Sequence, residues 1–152
     1  MHFALFVVRD GMQAARRGLS SACAELWRRT KATRWDGIAT SSRLAIGSSS
    51  KNAPFIIDRL GLNDFFEIIV DGSMVSIPKP NPEVFLNGAK AMNLKPENCI
   101  VFEDSVAGIQ AANAAGMISI GIGNENILSE AMYNFTDFTE LSNSFLEELI
   151  KH

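Results

Sequence analysis

Cys99-Ile100-Val101-Phe102-Glu103-Asp104-Ser105-Val106-Ala107-Gly108-Ile109 is the stretch on which the fold turns. Four apolar residues read as a buried strand, two carboxylates follow at its carboxyl end, and a helix then runs over Val106–Ala115 to a stop at Gly116. A further strand over Ile118–Gly121 completes a βαβ unit, the building block of a parallel sheet covered on both faces. Two adjacent carboxylates at the end of a buried strand are costly unless something positive neutralises them. A hard divalent cation meets that need, and Mg²⁺ commonly takes one or two carboxylates together with substrate phosphate.

Two stations upstream fit the same edge. Strand Leu44–Gly47 ends in Ser48-Ser49-Ser50-Lys51-Asn52, followed by a helix around Pro54–Leu60 that Gly61 stops. Strand Ile68–Val70 leads into a polar loop ending in Pro78-Lys79-Pro80, whose prolines hold the lysine by fixing φ on either side. Asn81 suits the cap of the next helix, with Pro82 at its first position, Glu83 in the first turn and an end near Met92 before Asn93 and Pro96. Phe3–Val8 reads as a strand and Ala22–Lys31 as a basic-faced helix. Ile127–Met132 reads as a short helix and Leu141–Ile150 as a terminal one. Ser48, Lys79, Glu103 and Asp104 therefore gather at the carboxyl ends of parallel strands, where open α/β sheets bind ligands.

Hydroxyl, ammonium and paired carboxylates make a phosphoryl-transfer constellation. Glu103 and Asp104 would hold Mg²⁺, directly or through water, because a transferring phosphoryl group needs its charge neutralised. Lys79 would offset the remaining negative charge, and Ser48 would donate a hydrogen bond to a phosphoryl oxygen beside the N–H groups of its turn. Each residue also has an ordinary structural reading: Asp104 as a helix cap, Lys79 as a loop lysine, Ser48 and Ser49 as turn residues.

The order of these stations resembles the haloacid dehalogenase superfamily of phosphatases and phosphomutases, particularly its β-phosphoglucomutase-like branch. Leu44-Ala45-Ile46-Gly47-Ser48 is similar to the second family motif, Pro78-Lys79-Pro80 to the third, and Glu103-Asp104-Ser105 with Gly108 to the fourth. The resemblance covers about Arg43 to His152. It implies a three-layer, Rossmannoid parallel-sheet core and Mg²⁺-dependent chemistry on small phosphorylated metabolites, sugar phosphates above all. It also implies that Ser49, Ser50, Lys51 and Asn52 contact substrate alongside Ser48. The first motif, Asp-x-Asp-Gly with a nucleophilic first Asp, has no full counterpart. Aligning Asp10-Gly11 with its second half makes Asp10 the general acid/base and puts Val8 at the nucleophile's place. Aligning Asp10-Gly11-Met12 with the loop that re-enters the core after the cap leaves the motif out altogether. Asp10 and Asp71 are the acidic residues from elsewhere that could reach the metal.

Composition bounds the rest. The 152 residues fit one domain, with 47% hydrophobic and 20% charged residues, as in an ordinary globular protein. A net charge of −3 offers no whole-chain argument for nucleic-acid binding, and no apolar run approaches the length of a membrane helix. Residues 1–43 carry eight lysines and arginines against Asp10, Glu25 and Asp36, a net of +5 that leaves −8 for residues 44–152. The chain thus divides into an atypical basic segment (1–43, strand plus helix) and a core (44–152). The span from Gly11 to Ser48 is too short for a helical cap. Cys23 and Cys99 lack metal-ligand spacing, and Cys99, opening a core strand, reads as a buried thiol in a reducing, cytoplasmic setting. Three functions follow: a phosphosugar mutase or phosphatase; an inactive or truncated core that binds Mg²⁺ and phosphate or serves as a protein-interaction module; or a core to which the basic N-terminal helix adds an interaction or targeting element.

Overall fold

The structure, a computed structural model, describes residues 3–9 and 42–151. Among the described residues six strands form one sheet: β1 (Phe3–Arg9), β2 (Ser42–Ser48), β3 (Ile68–Val70), β4 (Cys99–Glu103), β5 (Ile118–Ile122) and β6 (Tyr133–Phe135), in the order β3-β2-β1-β4-β5-β6. The helices are α1 (Ala53–Arg59), α2 (Glu83–Ala91), α3 (Val106–Ala114) and α4 (Asn143–Lys151).

Side-chain alternation along β4 assembles the layers. Cys99 and Val101 join Val84, Phe85, Ala89, Ala111 and Ala112 in a core beneath α2 and α3. Ile100 and Phe102 face the other way, with Ile120, Leu141 and Leu146. There α4 covers the sheet, and Phe145 meets the rings of Tyr133 and Phe135 edge-on at 5.1 Å. The three-layer α/β architecture is therefore present. Gly61 (φ +68°) and Gly116 (φ +73°) supply the left-handed turns after α1 and α3. Asn81 Oδ1 accepts from the Glu83 N–H at 3.0 Å at the start of α2.

The direction of β1 departs from the all-parallel expectation. The pairs β2–β3, β4–β5 and β5–β6 are parallel, but β1 lies antiparallel to both β2 and β4. Phe3 pairs with Ser48, whereas Val8 pairs with Arg43 and Cys99. Val8 thus stands at the amino ends of its neighbours, at the opposite edge from Ser48. A central strand can satisfy both flanking hydrogen-bond ladders in either direction, and an unbroken apolar run carries no mark of which it takes.

Smaller differences concern the C-terminal third and the boundaries. Residues 127–132 form turns instead of a helix, with the Asn124 carbonyl accepting from both Ile127 and Leu128 N–H. The strand β6 follows directly and was not expected. The boundary drawn at 43/44 falls inside β2. Asp10 and the expected helix over Ala22–Lys31 lie outside the described residues.

Candidate active site

At the carboxyl edge of the sheet, β2 and β4 are separated by β1, two strand spacings or about 10 Å apart. Lys79 spans that gap. Its Nζ donates to the Gly47 carbonyl of β2 at 3.3 Å and to Glu103 Oε1 of β4 at 2.9 Å. The buried Phe85 ring lies beneath the ammonium, 4.8 Å from Nζ to centroid, a cation–π contact strengthened by burial.

Glu103 continues the Cys99/Val101 side of β4, so its carboxylate turns inward toward α3. Besides Lys79, it accepts from the Asp104 N–H (3.2 Å), the Ser105 N–H (3.4 Å) and the Ser105 hydroxyl (3.1–3.2 Å). Ser105 Oγ in turn accepts from the Gly108 N–H at 3.1 Å and caps α3. The carboxylate occupies the space a side chain at Gly108 would need: a Cβ there would stand 2.1 Å from Glu103 Cδ. Gly108 is what lets the helix begin against a buried glutamate. Asp104, the next residue, is exposed. The adjacent carboxylates that look equivalent in the sequence are thus unlike in the fold, one inside an ion pair and one at the rim.

Ser48 closes β2. Its buried Oγ accepts from the Ser50 N–H at 3.1 Å, and Ser50 Oγ accepts from the Asn52 N–H at 3.2 Å. These successive hydroxyl turns carry the chain from strand to α1. The 71–73 loop lies directly on them, since a Cβ at Gly72 would meet the Ser49 carbonyl oxygen at 2.3 Å. Ser49, Lys51 and Asn52 are exposed and Ser50 is half-buried. Asp71 is buried, and its Oδ1 accepts from both the N–H and the hydroxyl of Ser73 at 2.6 Å.

The fold therefore brings Ser48, Lys79, Glu103 and Asp104 to one edge and sets the Ser49–Asn52 turn beside them. Among the described residues no three His, Cys, Asp or Glu side chains form a metal-binding group, so Asp71 does not join Glu103 and Asp104. Of the residues expected to hold Mg²⁺, Asp104 is exposed at this edge and could offer it an oxygen, since Mg²⁺ usually keeps several waters and shares the substrate's phosphate. Glu103, committed to Lys79 and Ser105, would act beside it. Phe85 and Gly72 escaped the sequence reading because their parts depend on contacts between elements, whereas Ser105 and Gly108 entered it through the resemblance to the fourth family motif.

Comparison with known proteins bears on this site. A family described as haloacid dehalogenase-like hydrolase matches residues 16–116. β-Phosphoglucomutase of Bacillus subtilis is 41% identical over 81 residues, 53% of this chain and 36% of that protein. A fructose-1-phosphate phosphatase of Escherichia coli is 42% identical over 76 residues, 50% of this chain and 40% of that protein. Among solved structures, β-phosphoglucomutase from Clostridium difficile superposes with a TM-score of 0.69 at 34% identity, covering 84% of this chain and 54% of that one. The chain spans well under half the length of these two curated relatives.

Proposed function

The chain belongs to the haloacid dehalogenase-like hydrolases, and from that premise we propose that its carboxyl edge binds the phosphoryl group of a small phosphorylated metabolite, a sugar phosphate, for Mg²⁺-dependent phosphoryl transfer of the phosphatase or phosphomutase type. The observation that carries this reading is Lys79, a buried ammonium fixed between β2 and β4 beside the Ser48 turn. It stands where a dianion meeting β2 would meet its charge, in a setting that weakens competition from water. The Ser48 hydroxyl and the turn N–H groups would orient the phosphoryl oxygens, and Ser49, Ser50, Lys51 and Asn52 would face the rest of the substrate. Bound Mg²⁺ would neutralise the phosphoryl charge, held by Asp104 with Glu103 beside it. The names of the two curated relatives support the sugar-phosphate class.

The course of β1 favours a second reading, a core that binds Mg²⁺ and phosphate without turning substrate over. Val8 is registered with the amino ends of β2 and β4, so β1 runs away from Ser48. Phosphate release from p-nitrophenyl phosphate and sugar phosphates, with and without Mg²⁺, separates the two. Turnover lost in Asp104→Asn supports the enzyme; Mg²⁺-dependent phosphate binding without turnover supports the binding core; neither property overturns both.

A further inference from the structure

The loop that carries Lys79 is held by a residue outside the groups expected to meet phosphate. The loop from Asp71 to Pro80 is fastened at several points. Asp71 grips Ser73, Asn87 Nδ2 donates to the Met74 carbonyl at 3.1 Å, and Val75 packs against the core. Nearest to Lys79 is the grip of Glu83. One of its carboxylate oxygens accepts from the Ser76 N–H and the other from the Ile77 N–H, each at 2.9 Å. The Glu83 N–H is itself tied to Asn81 Oδ1. Two residues further along the same turn of α2, Phe85 lies under the Lys79 ammonium. The start of α2 therefore holds the loop backbone just before Lys79 and supports its charged end from beneath.

We propose that Glu83 is a positioning residue of the phosphoryl site: by taking the Ser76 and Ile77 N–H groups it fixes the loop so that the Lys79 ammonium reaches Gly47 and Glu103. The proposal rests on the reading of the edge as a phosphoryl site. A carboxylate suits the task because each of its oxygens takes one N–H, and hydrogen bonds to an ionised acceptor are the stronger kind.

The test uses the full chain and two variants, Glu83→Ala and Glu83→Gln, with two readouts: the NMR signal of the Lys79 side-chain ammonium and titration with inorganic phosphate in the presence of Mg²⁺. In Glu83→Ala the Lys79 signal should shift or broaden, and the phosphate Kd should rise about fivefold or more, the scale of one ordinary hydrogen bond lost. Glu83→Gln keeps a single acceptor oxygen and should fall between; it also carries the test if Glu83→Ala does not fold. An unchanged Lys79 signal and Kd, with the Ser76 and Ile77 amides opened to exchange, would overturn the proposal. If the unaltered chain binds no phosphate, the reading of the edge fails, and the Lys79 signal alone decides the part assigned to Glu83.

Discussion

The Lys79 ammonium stands 2.9 Å from the Glu103 carboxylate, with side chains 6% and 0% exposed. Such a pair contributes little net stability when intact, but removing one partner leaves an uncompensated buried charge. Lys79→Met and Glu103→Gln should therefore each lower stability by about 3–5 kcal/mol. The double variant should lose clearly less than the sum. Urea denaturation of the four proteins measures this, and additive losses would contradict the coupling.

Gly108 and Glu103 make a second coupled pair. Gly108→Ala places a methyl group on the Glu103 carboxyl, and overpacking of this kind costs about 1–3 kcal/mol. In a Glu103→Ala background the space is open and the same change should cost much less. An equal cost in both backgrounds would locate the clash elsewhere.

Cys99 is buried and donates to the Lys95 carbonyl at 3.5 Å. Burial, with the nearby Glu97 charge adding to it, pushes its thiol up to about 11. Reaction requires the thiolate. In a Cys23→Ser variant, a thiol reagent at pH 8 should leave the folded protein unlabelled and label it fully in denaturant. Rapid labelling of the folded chain would contradict the placement of Cys99.

The Ser76 and Ile77 N–H groups, in that order of effect, hold the Glu83 carboxyl below its ordinary value of 4.5. Hydrogen bonding with Arg43 lowers that of Glu67 similarly, with burial opposing. A depressed carboxyl contributes stability that is present above the unfolded-state value and lost as pH falls through the folded one. The grip on the Lys79 loop should hold from neutral pH down to about 4.5 and weaken below it. Amide shifts of Ser76 and Ile77 across an acid titration report this directly; a transition above 4.5 would contradict the sign.

Much of the arrangement at this edge was legible in the sequence because the candidate residues sit at punctuation marks. Ser48 and Glu103-Asp104 each follow an apolar run, Lys79 ends the polar loop after one, and all three precede a helix start; topology does the rest. Residues whose parts depend on direction or depth were not legible. The apolar stretch Phe3–Val8 contains no signal for its antiparallel course, which moves Val8 to the far edge. Adjacent carboxylates give no sign that Glu103 turns inward to Lys79 while Asp104 stays at the rim. The three residues of β6 are too few to show a period. The glycines at 72 and 108 became interpretable only once the atoms crowding them were known.

The most direct test of the phosphoryl site is a calorimetric titration of inorganic phosphate into the full chain, with and without Mg²⁺. Ser48→Ala and the Lys79→Met/Glu103→Gln double variant serve as comparisons, the latter removing the ammonium without stranding a buried charge. Saturable binding that requires Mg²⁺ and is weakened about tenfold or more in both variants is the predicted result, on the scale of a lost charge-assisted contact. Binding indifferent to both variants, or none at all, would contradict the assignment of this edge to phosphate.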